Sequence, residues 1–591
     1  MSGAFGCLIA VDFTEESFYS PHAQHGVKSG EGMHGVLKQI MKTATGSTLK
    51  SFDEQCRALG NTQSKVLDRL VSRNKNSAFG RDHGFAGIKT LSDFQRAVPV
   101  SSYEDLKPYI DRSLNGEPGQ LTAENPVMFA TTSGTTGASK YIPVTPASKA
   151  SKSKLMRVWL GSLFRDHPGT LDGKILAVVS PEVESTSPGG IPCGAESGHG
   201  YRAMSPAVKA QYSAPYEVCE IKDYEARYYT LVRIACGQSL GMIYACNPST
   251  VLLLAQKMGA HTEEIIRDVR DGTLSSNFDI APGIRQVIEP LLVPDQQRAT
   301  ALEAAAYRGD GRLLPRTVWP ELACIASWKG GTVSMYLDRF GDYFDPATPV
   351  RDIGYFASEV RGTVVLSDEG PSGVLSVTEN LYEFAPADGA AKPSGDELLL
   401  PHQLEQGGQY FIYVTTLAGL YRYEMNDLME VTGFYGQTPV LRFLQKGKGM
   451  VSFTGEKLSE SQVITAVERG LADRRGAFEF IAAVGEVPGE KPRYAFLIEF
   501  DQSPGDDEVR RMLHGIEEAL CEVNVEYATK RKSLRIDAPV LRTIRLGAFE
   551  NYRRRQVEKG RLDGQFKTLR LTTDTAFADE FEVEGEVELQ D

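Results

Sequence analysis

The sequence is poor in the residue spacings that build disulfide frameworks and zinc sites. Its eight cysteines are scattered over 591 residues without a C-x-x-C pair, and its nine histidines are isolated or fall in the N-terminal segment. These spacings predict neither a disulfide scaffold nor a zinc site. No apolar run reaches the ~18 residues that a membrane helix needs, and the apolar stretch 7-CLIAV-11 follows no basic residue. We therefore expect a cytoplasmic protein that has no secretory signal and no membrane partner.

The sequence also lacks an excess of positive charge. Asp and Glu number 77 against 64 Lys and Arg, a formal net charge of −13, which argues against nucleic acid or an anionic membrane as the main partner. An anionic ligand would therefore have to be held by a local site. Apolar residues make up 41% and charged residues 24%, as in folded globular chains, and the length exceeds what one hydrophobic core supports. We expect two or more domains and a monomer or weak dimer.

The first two segments of the chain differ in their patterns. Residues 1–33 mix Gly, Ser, His and Pro without periodicity, which predicts a flexible extension. Residues 34–445 alternate short β-type runs such as 174-KILAVV-179 with helical stretches such as 248-PSTVLLLAQKMG-259. Alternation of this kind predicts a large α/β domain with a mostly buried sheet.

Helical signals stand near the start of the large segment. Apolar residues at helical spacing between 33 and 76 predict two helices. Ser101 followed by Glu104 resembles a capping box that opens a further short helix.

Residues 446–591 form a smaller block of α+β type. Helical periodicity covers 461–471 and 506–524, and β-type runs at 480–487 and 494–500 predict paired strands. The glycine-containing segment 446-KGKGMVSFTGEK-457 is expected to be a hinge between the two blocks.

The stretch 127-VMFATTSGTTGASKYIPVTP-146 resembles a phosphate loop. A strand at Val127–Thr131 would lead into small residues that allow close backbone approach to a polyphosphate, with hydroxyl donors and the point charge of Lys140. The hydroxyl donors are Ser133, Thr135 and Thr136. The spacing of Gly134 and Gly137 departs from the Walker pattern. A Ser/Thr-rich surface turn is the alternative.

Two further matches to hydrolase motifs do not fit their context. The segment 237-GQSLG-241 follows a helical stretch and precedes a strand-like one, whereas an esterase elbow runs from strand to helix, so Gly237 is expected to cap a helix. Ser151 and Lys154 match S-x-x-K, but the later partner motifs are missing, and we expect a solvated helix face.

Four stretches later in the chain carry isolated charged residues. They are 354-GYFASEVRG-362 with Glu359, 419-GLYRYEMNDLMEV-431 with Asp427 just after a strand-like run, 439-PVLRFLQK-446 with Arg442, and 564-GQFKTLR-570 with Lys567. Each alone would usually be a surface charge. Their order along the chain is more informative than any one of them.

Taken in this order, the stretches resemble the adenylate-forming enzymes, and within them the GH3 family of acyl acid amido synthetases. TTSGTTGASKYIP resembles the first motif of that family, GYFASEVRG the second and LYRYEMNDL the third, and the resemblance extends over about residues 34–570. Phe356 and Asn426 stand where the family has glycine. The resemblance implies a large N-terminal α/β domain of the adenylate-forming type with a smaller, mobile α+β C-terminal domain.

The resemblance also implies a two-step ligation that uses ATP and Mg²⁺. A carboxylic acid attacks the α-phosphorus of ATP to give an acyl adenylate and pyrophosphate, and an amine or amino acid then attacks the carbonyl to give an amide and AMP. The implied nucleotide-binding residues are Ser133, Gly134, Thr135, Thr136, Lys140, Tyr355, Ala357, Ser358, Glu359, Asp427, Arg442 and Lys567. Glu359 would also hold Mg²⁺, and Asp427 would accept from the ribose hydroxyls.

Lys567 is implied as the cation at the α-phosphate during adenylation. A mobile small domain could deliver it for one step and withdraw it for the next. The acyl acid pocket is expected to include Gly190, Trp328 and Tyr336, with the segment 186-TSPGGIPCGAESGHG-200 along its wall. The alternatives are an acyl-CoA synthetase that uses the same first step and a non-catalytic nucleotide-binding protein.

Overall fold

The computed structural model of the protein describes most of the chain. The described residues are 30–132, 140–330, 336–387, 397–447, 450–451, 453, 456, 458–472, 478–488, 491–532, 535–559 and 568–589. Backbone proximity divides the chain into two compact units. The first unit contains the described residues up to Lys329 together with Gly341–Met425 and Met429–Phe443, and the second contains those of Gly330–Phe340, Asn426–Leu428 and Leu444–Asp591.

Helices and strands are interspersed along the chain, often with several of one kind in succession. The helices that begin before residue 345 are α1 (Gly30–Arg57), α2 (Leu59–Asn74), α3 (Ala78–Asp82), α4 (Leu91–Ala97), α5 (Tyr103–Leu114), α6 (Pro146–Asp166), α7 (Glu196–Arg202), α8 (Pro206–Lys209), α9 (Tyr224–Cys236), α10 (Pro248–Ala260), α11 (Thr262–Asp271), α12 (Pro282–Ile288), α13 (Gln296–Arg308), α14 (Pro315–Val318) and α15 (Phe340–Tyr343). Helices α1 and α2 are the two expected between residues 33 and 76.

The strands up to residue 446 are short, except for the last two of the series. They are β1 (Met128–Thr132), β2 (Lys140–Val144), β3 (Lys174–Ala177), β4 (Ser185–Thr186), β5 (Pro192–Gly194), β6 (Leu240–Tyr244), β7 (Cys324–Ala326), β8 (Val350–Arg351), β9 (Thr363–Val364), β10 (Gly373–Leu375), β11 (Leu381–Pro386), β12 (Gln409–Thr415), β13 (Tyr423–Tyr435) and β14 (Thr438–Lys446).

Two sheets of the first unit position the candidate site. Strands β3, β6, β7 and β8 lie in that order and are all parallel, and their side chains are almost entirely buried. Burial on both faces is what parallel sheets require, because their crossover helices cover both sides. A second sheet has the order β2-β1-β5-β4, in which β1 runs antiparallel to β2 and parallel to β5. A mainly antiparallel sheet has the order β11-β12-β13-β14-β10-β9.

Side-chain caps fix where several helices begin. The Thr90 hydroxyl caps α4 and the Ser102 hydroxyl caps α5, each in a capping box with an aspartate three residues on. Such a cap stabilises a helix by ~1 kcal/mol. The capping box expected at Ser101 and Glu104 is therefore wrong by one residue. The backbone of Ser101 is already used in a β-bridge with Tyr423, so Ser102 is the first residue free to cap.

Helix α6 is buried around most of its circumference. Ser148, Ser151, Lys152 and Leu155 are all less than 9% exposed, and Lys154 pairs with Glu379 at 2.6 Å. The expectation that Ser151 and Lys154 form a solvated face is wrong, because other elements cover the helix on that side. The expectation that Gly237 caps a helix is confirmed at the end of α9.

The second unit is built on a five-stranded mixed sheet. Its elements are β15 (Met450–Val451), β16 (Leu458–Ser459), α16 (Glu460–Gly470), β17 (Phe478–Glu486), β18 (Arg493–Phe500), α17 (Asp506–Val523), α18 (Val525–Lys532), β19 (Val540–Ile544), α19 (Ala548–Glu558), β20 (Leu571–Thr572) and β21 (Val583–Glu588). The sheet has the order β20-β17-β18-β19-β21, and β17 and β18 pair antiparallel as expected. No helix of the described residues is long and apolar enough to cross a membrane.

Candidate active site

The first motif joins two antiparallel strands. Strand β1 ends at Thr132, and β2 begins at Lys140, which pairs with Thr132 in register. The strand predicted before the loop is confirmed. Ser133, Gly134, Thr135 and Thr136, the predicted phosphate-binding residues, lie outside the described residues.

Lys140 is placed over an aromatic ring. Its ammonium lies 5.2 Å from the centre of the Tyr103 ring, a cation–π distance. The Tyr103 hydroxyl in turn accepts a hydrogen bond from the Tyr141 N–H at 3.0 Å. Tyr103 thus holds Lys140 at the end of the segment that the sequence assigns to phosphate binding.

The second motif forms a tight turn with Ser358 and Glu359 at its tip. Phe356 and Arg361 face each other in an antiparallel bridge, and the Ala357 N–H donates to the Val360 carbonyl at 2.8 Å. The turn follows β8, the last strand of the parallel sheet. Ligand sites of open parallel sheets lie at the carboxyl ends of the strands, so the turn has the position expected of a nucleotide-binding element.

Buried groups behind the turn fix its base. Gly354 has φ +88°, and a Cβ there would lie 2.6 Å from the Thr363 carbonyl oxygen, so only glycine fits. The Trp328 indole N–H donates to the Gly354 carbonyl at 2.9 Å. Asp352 accepts from the N–H groups of Lys329 and Gly354, both at 2.6 Å. Burial raises the pKa of Asp352 to about 7.

Tyr355 and Ala357 are buried members of the same turn. The Tyr355 ring stacks on Phe443 of β14 with centroids 6.0 Å apart. Arg442, the residue before Phe443, forms an ion pair with Glu430 of β13 and is 43% exposed. The predicted nucleotide-binding residue Arg442 therefore lies on a strand that contacts the turn through its neighbour.

A buried lysine connects the turn to α7. The Lys152 ammonium on α6 donates to the Ser358 backbone carbonyl at 2.8 Å and to Oε2 of Glu196 at 2.7 Å. Lys152 is 6% exposed and Glu196 is 2% exposed. Removing such charges from water costs several kcal/mol per ion, so this pair is an expensive feature to place here.

Glu196 stands at the same sheet edge as the first motif. It is the first residue of α7, directly after β5, and β5 runs parallel to β1 with Ala130 opposite Gly194. Parallel neighbouring strands end at the same edge of a sheet. The end of β1, which precedes the Ser/Thr/Gly segment, is therefore at the same edge as the end of β5, which precedes Glu196. Contacts within the first unit thus bring together the end of β1, the start of α7 and the second-motif turn.

The sequence analysis did not single out Lys152 or Glu196, although one signal was present. Lys152 lies on the same helical stripe as Ser148, Leu155 and Trp159, all buried. A lysine on an apolar stripe at helical spacing predicts a buried charge that needs a partner. Glu196, in a segment rich in Gly, Ser and Pro, carries no comparable signal.

Gly190 shapes a turn ahead of β5. It has φ +80°, and its N–H donates to the Ser187 carbonyl at 2.9 Å. Its role in an acyl acid pocket stays a prediction, whereas its backbone geometry accounts for the glycine directly.

The third motif contains an arginine with a purely structural environment. Arg422 is fully buried, and its guanidinium donates to both carboxylate oxygens of Glu383 at 2.7 and 2.8 Å. It also donates to the carbonyls of Gln95 and Val98. This arginine ties the motif to the N-terminal helices of the first unit.

Asp427 lies inside a strand and not after one, which corrects the sequence expectation. It is the fifth residue of β13, is buried, and forms an ion pair with Lys446 of β14. Asn426 before it has φ +52°, the left-handed backbone that asparagine tolerates. Asn426, which stands where the family has glycine, thus has a backbone conformation that glycine adopts readily.

The remaining predicted residues belong to the second unit. The Tyr336 hydroxyl accepts from the guanidinium of Arg570 at 2.9 Å, and Arg570 also donates to the Ile481 carbonyl. Lys567 lies outside the described residues. The assignments of Asp427, Tyr336 and Lys567 to nucleotide or acid binding stay predictions.

A cleft of the first unit lies away from all of these residues. It has a volume of about 790 Å³ and is lined by Lys174, Tyr212, Gly237, Gln238 and neighbouring residues. Lys174 begins β3 and Gly237 precedes β6, so the cleft is at the amino ends of the parallel strands. None of the predicted site residues lines it.

Three models of one protein family together match most of the chain. The GH3 family N-terminal domain matches residues 48–350, the GH3 family central domain residues 373–446 and the GH3 family C-terminal domain residues 461–576. Lys140, Asp427 and Lys567 fall within the matched ranges. The second-motif turn lies between the first and second matches.

Individual relatives align with this chain over most of their lengths. The chain is 27% identical to the indole-3-acetic acid-amido synthetase GH3.4 of Arabidopsis thaliana, covering 89% of this chain and 91% of that protein. It is 26% identical to the indole-3-acetic acid-amido synthetase GH3.8 of Oryza sativa subsp. indica, covering 92% and 93%. The solved structure of the acyl acid amido synthetase AtGH3.15 in complex with 2,4-DB superposes with a TM-score of 0.82 at 21% identity, covering 93% of this chain and 98% of that one. The fold is therefore that of this structure, and the expected α/β fold with a smaller C-terminal domain is confirmed.

Proposed function

The chain belongs to the GH3 family, and on that premise we propose that it is an ATP-dependent acyl acid amido synthetase. A carboxylate oxygen of the acid forms a bond to the α-phosphorus of ATP while pyrophosphate leaves. The amine nitrogen, supplied by an amino acid, then forms a bond to the acyl carbon while AMP leaves, and the nitrogen gives up a proton. The product is an amide.

One observation of the first unit supports this proposal most directly. The first and second motifs are more than 200 residues apart, yet the end of β1, the start of α7 and the Ser358–Glu359 turn are linked by β5 and Lys152. An ATP-dependent ligase needs phosphate-binding and metal-binding groups in one place, because negative charge accumulates there during adenylation. The alternative, that the first motif is only a Ser/Thr-rich surface turn, does not explain why the second motif lies beside it.

The residues of the turn suit the roles that we propose for them. Glu359 presents a carboxylate at the tip of a turn whose base is fixed by Gly354, Trp328 and Asp352. Oxygen ligands of this kind suit Mg²⁺, which proteins hold through one or two carboxylates together with substrate phosphates. When bound, Mg²⁺ would neutralise charge on the phosphates. Tyr355, Ala357 and Ser358 would provide the wall against which the nucleotide lies.

We propose that Asp427 and Lys567 serve different steps. Asp427→Ala should lower ATP use in every assay, because an ionised carboxylate is an apt acceptor for ribose hydroxyls.

Lys567→Ala should slow adenylation by about 100-fold, the scale of removing one group that stabilises developing charge. It should leave the transfer from a preformed acyl adenylate much less affected. Equal losses in the two half-reactions would contradict the assignment of Lys567 to adenylation.

The experiment that tests the function is a substrate screen. Purified protein would be incubated with ATP, Mg²⁺ and a panel of carboxylic acids, and pyrophosphate release would be measured with and without each amino acid. Acid-dependent release and formation of an amide are expected. Release that leads to a thioester when CoA replaces the amino acids would indicate an acyl-CoA synthetase. ATP binding without acid-dependent release would indicate a non-catalytic nucleotide-binding protein.

The reaction also suggests where and how the protein works. ATP and free amino acids are cytoplasmic metabolites, which is the basis for proposing a cytoplasmic location. One chain carries every residue that the proposal uses, so a monomer or weak dimer is sufficient. In this proposal residues 34–445 bind ATP and the acid, and residues 446–591 carry Lys567.

A further inference from the structure

The Lys152–Glu196 ion pair leaves one oxygen unused. Oε2 of Glu196 accepts from Lys152 at 2.7 Å, whereas Oε1 is buried and has no hydrogen-bond partner among the described residues. The side chain is 2% exposed, so bulk water does not satisfy that oxygen. A buried acceptor without a donor is costly, and native sites that keep one usually receive the donor from a ligand or an ordered water.

Within the part of the chain that the structure describes, the neighbouring polar groups do not supply that donor. One helical turn further along α7, the ring of His199 bonds to Glu182 at 2.6 Å and to the Lys149 ammonium at 3.2 Å. Glu182 also pairs with Arg202. This second network satisfies its own members, and Ser197 next to Glu196 accepts from the Ser180 N–H at 3.2 Å. None of these groups therefore donates to Oε1 of Glu196.

The charge around Glu196 restricts what the donor can be. Lys152 already balances the carboxylate, and a second cation would leave a net positive charge in a buried place, which is expensive. A neutral O–H or N–H group would satisfy Oε1 without changing the balance. The missing donor is therefore a neutral hydrogen-bond donor and not an ammonium group.

The place of Glu196 connects this donor to the acid. Glu196 lies within residues 186–200, the segment expected along the acyl acid pocket, and Lys152 links it to the Ser358 carbonyl. Resting on the proposed function, we propose that the acid substrate carries a neutral hydroxyl or N–H group distant from its carboxylate, and that Oε1 of Glu196 accepts its hydrogen bond. Glu196 is then the residue that selects among acids.

Matched pairs of acids test this inference on the wild-type protein. Suitable pairs are 4-hydroxyphenylacetate with phenylacetate, 4-hydroxybenzoate with benzoate, and indole-3-acetate with 1-naphthaleneacetate. Within the pairs that are turned over, the acid with the donor should have a kcat/KM about 10- to 100-fold higher, because its absence leaves a buried acceptor unsatisfied. Calorimetric binding of the same pairs to the wild-type protein should show the same preference without any variant.

A double variant tests whether the preference for the donor acid depends on the ion pair. Lys152→Met together with Glu196→Leu replaces the ion pair by apolar groups of similar size, a change that buried pairs often tolerate. The preference for the donor acid should fall to about 1 or invert. The matched control is Lys154→Met, which removes another lysine of the same helix that pairs with a buried glutamate, while Arg69 still pairs with that Glu379; it should leave the preference unchanged.

The outcomes distinguish this inference from the function on which it rests. Equal use of both members of every pair, or equal loss of preference in the control, would overturn the role of Glu196. A raised KM for ATP with unchanged acid preference in the double variant would also overturn it, since the donor would then be the adenine amino group. If no acid supports pyrophosphate release, the ligase proposal itself fails.

Discussion

Two buried ion pairs of the first unit serve different ends. Arg422 and Glu383 make a two-pronged contact, and two further guanidinium N–H groups donate to the carbonyls of Gln95 and Val98. Lys152 and Glu196 make a single contact, and no described residue donates to Oε1 of Glu196. Both pairs are almost completely buried, so burial does not distinguish them.

The difference between them lies in how completely the charges are satisfied. A fully bonded pair holds elements of the fold together, and removing one partner leaves an unpaired buried charge. A pair with an unsatisfied oxygen has the same desolvation cost but fewer hydrogen bonds to offset it. Local destabilisation of this kind is characteristic of functional sites. Of the two pairs, we assign Arg422–Glu383 to the scaffold and Lys152–Glu196 to the site.

The largest expected effect is on the scaffold pair. Arg422→Met should lower the free energy of unfolding by about 3–5 kcal/mol, because Glu383 would remain charged and buried without its partner. All three tryptophans of the chain, Trp159, Trp319 and Trp328, are in the first unit. Urea unfolding followed by tryptophan fluorescence therefore reports on the unit that contains the pair.

A second variant tests the reason for that loss. Arg422→Met combined with Glu383→Leu should recover a large part of the stability, because no charge is then left unpaired. If the single variant unfolds at the wild-type urea concentration, the pair does not hold the scaffold, and the distinction between the two ion pairs fails.

The next effect concerns the turn that Lys152 supports. Glu359→Gln keeps the size of the side chain and removes its charge, so it tests the carboxylate with the smallest change of shape. The rate of acid-dependent pyrophosphate release should fall by about 100-fold, and more Mg²⁺ should be needed for half-maximal rate. Titration of Mg²⁺ against release in the variant and the wild type measures both quantities.

An exposed carboxylate nearby provides the control for this change. Glu369 follows the same region of the chain and is exposed, so Glu369→Gln should retain the wild-type rate and Mg²⁺ dependence. A Glu359→Gln protein with wild-type Mg²⁺ dependence would remove Glu359 from the proposed metal role, even if its rate were reduced.

The sequence predicted the elements of the fold better than the site. Helical periodicity placed α1 and α2, because each of these helices buries one face. Short apolar runs on either side of a turn placed the paired strands β17 and β18, which are buried on both faces. It placed Asp427 after a strand, whereas β13 continues through a left-handed Asn426. A residue that favours positive φ predicts a turn in the sequence. Here the pairing of β13 with β12 and β14 keeps the strand continuous through that residue.

The site depends on contacts that sequence spacing does not record. Lys152 and Glu196 are 44 residues apart and Lys152 and Ser358 are 206 apart, so only the folded chain shows that they meet. The motifs themselves were recognisable because they resemble a family. Arg422, inside the third motif, shows that a motif residue can be scaffold: nothing in its sequence context separates it from a ligand-binding arginine.

The smallest expected effect concerns Asp352, which supports the base of the turn. Burial raises its pKa from 3.8 to about 7, so between these pH values the folded protein keeps a proton that the unfolded chain releases. The contribution of Asp352 to stability therefore falls as pH rises from about 4 to about 7. Asp352→Asn cannot titrate, so the melting temperature of the variant relative to that of the wild type should rise by a few degrees between pH 5 and pH 8. Glu369→Gln should follow the wild-type pH profile, and parallel profiles for Asp352→Asn would show that the buried carboxyl is already ionised throughout this range.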